Sequence, residues 1–116
     1  MHAFVMCLFA MVGLASSVAR ADPSSHSLSE GYQLLEACNS SSTLLRSMCF
    51  GYVAAVTDDA KHDHQVGQEG SCLPQFTNLD LFRITIVHHF EEHPEGLNEP
   101  SFQEAKHALA LAFPCH

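Results

Sequence analysis

Four cysteines bracket the helical patterns of this chain: Cys38, Cys49, Cys72 and Cys115. A fifth, Cys7, lies in an apolar N-terminal run, Phe4 to Leu14, with the length of a signal-peptide core. Ala19-Arg20-Ala21 then supplies an A-x-A cleavage site. The run is too short to span a bilayer, which takes roughly 20 apolar residues. Its start, Met1-His2-Ala3, lacks the usual basic residues, and Cys7 does not follow the run as a lipid-attachment cysteine would. We therefore expect a cleaved signal peptide over residues 1–21 and one mature domain over residues 22–116. An even set of cysteines behind an export signal predicts a disulfide framework outside the cytosol.

A mature chain of this size buries a modest core, and two disulfides add about 2–4 kcal/mol each by restricting the unfolded chain. Four basic residues (Arg46, Lys61, Arg83, Lys106) face thirteen acidic ones, a net charge of about −9 with histidine neutral. No basic stripe exists for phosphate, which excludes nucleic acid as a partner. The acidity suits solubility or docking to a basic partner. Eight mature histidines gain charge as pH falls through about 6.5, so acid shrinks the net charge.

Four segments carry a helical period, and the fold class expected is all-α, a small disulfide-linked bundle of about four helices. The first runs from about Leu28 to Ala37, with Ser27 and Glu30 as a capping box. The second runs from about Thr43 to Asp58, with Leu45, Met48, Cys49, Tyr52, Val53 and Val56 as a core stripe. Gly51 lowers its propensity by about 1 kcal/mol, and a close helix–helix approach accounts for it. The third runs from about Leu79 to Glu92, capped by Asn78 and stopped by Pro94. Its run Ile84-Thr85-Ile86-Val87 has strand character, but cap and length favour helix. The fourth runs from about Pro100 or Ser101 to Ala112. Between the second and third lies a long polar stretch, Asp59 to Phe76, read as a loop.

Antiparallel hairpins favour one cysteine pairing of the three. Cys38 and Cys49 flank the short turn Asn39–Ser42, and Cys72 precedes the third helix while Cys115 follows the fourth. Cys38–Cys49 and Cys72–Cys115 is thus the favoured pairing; the crossed alternatives would staple the two hairpins together. The spacings lack the close pairs that a cysteine zinc site requires.

The ordered motifs resemble a known family. They are Gly31-x-x-Leu34-Leu35-x-x-Cys38, then Cys49-x-Gly51-Tyr52-Val53-x-x-Val56-x-Asp58, Cys72-Leu73-Pro74, His93-Pro94-Glu95, and Phe113-Pro114-Cys115. Their order and spacing resemble the Rap1a/Tai immunity proteins of type VI secretion amidase effectors, over nearly the whole mature chain. The resemblance implies a small helical periplasmic protein, often a homodimer, that binds a peptidoglycan amidase toxin and occludes its active site. No cofactor and no membrane contact after signal cleavage are expected. Gly51, Tyr52, Asp58, Pro74, His93 and Pro94 are read as keeping the fold. Tyr52 fills core and hydrogen-bonds through its hydroxyl. Asp58 lies near the negative end of the second helix and pairs across the following loop.

Inhibitory surfaces in such a family are loops and helix ends. The candidate partner-binding loop here carries Asp59, Lys61, His62, Asp63, His64, Gln65 and Glu69, acidic and imidazole groups suited to a cysteine-hydrolase cleft. His62-Asp63-His64, and His88 with His89 and Glu92, have metal-ligand chemistry, but sequence supplies no third fixed ligand and no metal site is assigned. Nothing resembles a catalytic nucleophile motif or a phosphate loop, so an enzyme is not expected. The alternatives are an acid-response periplasmic chaperone, which the histidines and acidity fit, and a small helical domain with no partner.

Overall fold

The computed structural model describes residues 27–116 except Glu69. The expected signal peptide lies outside the described residues. Four α-helices are present: α1 (Gly31–Asn39), α2 (Thr43–Gln65), α3 (Leu79–Glu92) and α4 (Ser101–Ala112), with a short 3₁₀ helix, Pro94–Asn98, between the last two. Among the described residues there is no strand, only two isolated bridges, and no helix is long and apolar enough to cross a membrane.

Each helix packs on the other three. Leu34 of α1, Cys49, Val53 and Val56 of α2, Phe82, Ile86 and Phe90 of α3, and Ala105 and Leu109 of α4 form one buried core. These positions recur at three- and four-residue intervals, so each helix turns one apolar face inward. Asn78 caps α3 by accepting from the Leu81 N–H at 3.1 Å. Pro94 closes α3 at Glu92 and opens the 3₁₀ helix.

The first helix starts later than its sequence cap predicts. Residues 28–30 stay outside the helix, with Glu30 extended, because their strip pairs with the entry to α4: Gly31 N–H donates to the Glu99 carbonyl at 3.0 Å, and Ser101 N–H to the Ser29 carbonyl at 2.9 Å. Ser27 bonds Ser29 rather than a helix N-terminus. The terminus is capped instead by Gln33, whose Oε1 accepts from the Glu30 N–H at 3.1 Å. Gly31 is needed at this junction: a Cβ there would lie 2.4 Å from the Gly96 carbonyl oxygen and 2.7 Å from the Phe90 ring.

Both disulfides follow the hairpins. Cys38 and Cys49 are bonded with Cα atoms 5.1 Å apart, closing α1 against α2. Cys72 and Cys115 are bonded with Cα atoms 5.0 Å apart, joining the approach to α3 with the end of α4. Cys72 N–H also donates to the Phe113 carbonyl at 2.8 Å. Arg83 of α3 ties the two hairpins together, donating to Asp80 at 2.6 Å and to the Cys38 carbonyl at 3.1 Å.

Candidate functional site

The stretch read as a partner-binding loop is largely helix. Asp59, Lys61, His62, Asp63, His64 and Gln65 form the last two turns of α2; Glu69 lies outside the described residues. Polarity misled the reading, because a solvated helix face is as polar as a loop. Two carboxylates four residues apart disfavour a helix on their own. Here Lys106 of α4 lies between them, 2.7 Å from Asp59 and in contact with Asp63, while Ala60 points into the core. The Lys106 ammonium donates to both carboxylates, Asp59 chief among them, and its pKa is raised as a result. The helix ends in a paired-carbonyl stop at Gly67, whose φ of 76° suits glycine. Gly67 N–H donates to the His64 carbonyl at 3.2 Å and Gln68 N–H to the Asp63 carbonyl at 2.9 Å. A glycine after the last polar turn was the sequence signal for this end.

The longer helix also relocates Asp58. It stands exposed in mid-helix, not at a helix end, so it pairs with no charge that a terminus would supply. Gly51 is a second correction. It is exposed, and among the described residues nothing lies within 4 Å of an added Cβ, so none of the four helices approaches it. The neighbouring Tyr52 is built into the fold. Its hydroxyl donates at 2.7 Å to Ser101 Oγ, which in turn donates to the Leu28 carbonyl, and its ring meets Phe102 edge-on. Pro74 is exposed in the irregular connection to α3, and His93 is the C-terminal cap of α3.

The structure divides the predicted contact residues into three directions. Asp59 and Asp63 face α4 and are occupied by Lys106. His62 points to solvent. Lys61, His64 and Gln65 line a cavity of about 340 Å³ with Ser71, Cys72, Leu73 and Gln75. His64 Nδ1 stands 3.7 Å from Cys72 Sγ and 3.8 Å from Cys115 Sγ. These three residues have their ligand atoms within 4.8 Å of one another. The two sulfurs are bonded to each other, however, and a metal needs thiolates. The corner thus offers contact chemistry, a cation, an imidazole and amide groups around a rigid disulfide.

Two exposed apolar residues missed by sequence reasoning follow cavity residues in the chain. Phe76 is 99 % exposed and Val66 is 54 % exposed. Each follows directly after a cavity residue, Gln75 and Gln65. Among the described residues nothing covers the Phe76 ring.

Of the second cluster expected from sequence, His88 and Glu92 share a helix face and His89 leaves it. His88 Nδ1 lies 3.4 Å from Glu92 on the solvent face, whereas His89 turns inward to Glu104 of α4.

The profile of the Rap1a immunity proteins matches residues 30–115, from the residue capping α1 to the last cysteine. The chain belongs to the Rap1a immunity protein family. No curated protein and no solved structure matches it. Membership implies an effector immunity role, carried out by binding a toxin partner rather than by catalysis. In this Rap1a protein the matched stretch includes both disulfides, the Gly31 junction, the Tyr52–Ser101 link and the cavity beside His64.

Proposed function

We propose that this protein acts in the periplasm, after signal cleavage, by binding and occluding a peptidoglycan amidase effector of a type VI secretion system. The contact surface in this reading is the corner formed by the end of α2 and the connection to α3, with Phe76 as its anchor. The observation that carries this surface is the fully exposed Phe76, next in the chain to Gln75 of a cavity lined also by Lys61, His64 and Gln65. An aromatic side chain flanked by a cation and hydrogen-bonding groups is the composition of a binding hot spot, where one residue commonly contributes more than about 2 kcal/mol. The closed disulfide beneath it holds this corner in shape, which limits the ordering cost of association. The net acidity favours an effector with a basic face around its cleft.

The test is titration of the oxidised protein against a panel of type VI peptidoglycan amidases, with hydrolysis of purified peptidoglycan as the activity readout. A stoichiometric complex that abolishes hydrolysis is expected. Phe76→Ala and Lys61→Glu should each weaken it at least tenfold, whereas Leu44→Ala, an exposed apolar residue at the start of α2, should not. Failure to bind any amidase would overturn the target class. A tight inhibitory complex indifferent to Phe76→Ala would overturn the contact surface. Mass spectrometry of the periplasmic fraction should find a chain beginning at Asp22.

A further inference from the structure

Three imidazoles and a carboxylate converge where the end of α3 meets α4. His89, only 8 % exposed, points Nε2 at Glu104 Oε2 across 3.2 Å. The His93 ring centre is 4.7 Å from that of His89, and the His107 ring centre is 5.7 Å from it. His89 and His93 are four residues apart on α3 and its cap; Glu104 and His107 are three apart on α4. The second spacing puts Glu104 and His107 on one face of α4, and ring contact sets His93 beside His89. Together they line an open cavity of about 260 Å³.

We propose that this cluster is a binding site for a divalent transition-metal ion of the zinc type, with His89, His93, His107 and Glu104 as ligands. The donor set favours such an ion, because imidazole suits zinc, copper and nickel whereas calcium and magnesium want oxygen cages. The side chains are within reach of such an ion. Two ligand atoms each about 2.0 Å from a tetrahedral ion stand about 3.3 Å apart, and two imidazole centres on such an ion stand about 5.2 Å apart. The His89–Glu104 pair is at 3.2 Å, and the two ring separations, 4.7 and 5.7 Å, straddle the second value.

The surroundings fit as well. His93 Nδ1 lies 3.2 Å from Glu95 Oε1, a carboxylate partner that orients the ring and leaves Nε2 for a metal. Gly96 makes room for the Glu104 carboxylate: a Cβ there would lie 2.7 Å from Glu104 Oε2. Only the His89–Glu104 pair already stands at ligand separation, so binding turns His93 and His107 about their side-chain bonds toward it. The site stands independently of the amidase reading, since none of its residues lines the cavity beside His64.

The experiment is calorimetric titration of zinc chloride into the untagged, oxidised protein. One equivalent should bind with a Kd below about 10 μM, the range at which a few well-placed ligands hold an ion against water. His93→Ala and His107→Ala should each weaken binding at least tenfold, and the double variant should abolish it. His62→Ala should change nothing. Cobalt should give the visible spectrum of a tetrahedral ion in the parent protein and lose it in the double variant. Far-ultraviolet circular dichroism guards against loss of fold, and Glu104→Gln, which preserves shape, provides a second ligand deletion. No single-site binding at 1 mM zinc, binding retained by the double variant, or equal weakening by His62→Ala would each overturn the assignment.

Discussion

Alanine at two glycines should move stability in opposite directions. At Gly51 an added Cβ meets nothing within 4 Å among the described residues, and the glycine lies inside α2. Only the backbone term changes there, and alanine is better than glycine in a helix by about 0.8–1 kcal/mol. At Gly31 the Cβ would lie 2.4 Å from the Gly96 carbonyl oxygen, 2.7 Å from Phe90 Cε1 and 3.0 Å from Leu97 Cα. Two of those three atoms are backbone, so α1 must move away from the 3₁₀ helix. That movement strains the core, at about 1–3 kcal/mol for overpacking. It also stretches the Gly31–Glu99 hydrogen bond, worth about 1 kcal/mol. The sum is a loss of about 2–4 kcal/mol. In a domain of this size each kcal/mol shifts Tm by about 4–8 °C. Gly51→Ala should therefore raise Tm by about 4–8 °C, and Gly31→Ala should lower it by more than about 8 °C. Thermal unfolding by circular dichroism at several protein concentrations reads both. A neutral Gly31→Ala would refute the tight junction, and a destabilising Gly51→Ala would refute the open face of α2.

Three further outcomes follow from named contacts. Tyr52→Phe should cost about 1 kcal/mol in urea unfolding, and Ser101→Ala about 1–3 kcal/mol, because it strands both the Tyr52 hydroxyl and the Leu28 carbonyl. Removing Cys72–Cys115, which joins residues 43 apart, should cost about 4 kcal/mol, against about 3 kcal/mol for Cys38–Cys49, which joins residues 11 apart; equal losses would point to strain or residual structure instead. Stability should fall at both pH extremes for stated reasons. Lys106 has a raised pKa, so its contribution is full below about 10.4 and is lost as pH rises through the folded value. Glu95 has a lowered pKa, through its own backbone amide and then His93, so its contribution is full above about 4.3 and is lost as pH falls through the folded value. Lys106→Met should flatten the alkaline fall in a pH series of urea titrations.

The amino-acid sequence by itself determined the four helices, the capping of α3 by Asn78 and its stop at Pro94, and favoured the pairing of the cysteines that the structure shows. Each of these rests on local spacing: a period of three to four residues, a side chain within one turn of a helix end, or a short connection that forces antiparallel neighbours. Only the tertiary structure decided features that depend on what arrives from elsewhere in the chain. Leu28 to Glu30 stay outside α1 because Glu99 and Ser101 pair with this strip. Asp59 to Gln65 are helical with Lys106 offsetting two carboxylates that repel each other within the segment. Gly31, not Gly51, is the close approach, because it is the 3₁₀ helix that comes within reach. The cluster of His89, His93, Glu104 and His107 spans two helices, so neither helix announces it alone. Local patterns set the elements, whereas long-range packing selected their ends, the tight contacts and the residues that share a site.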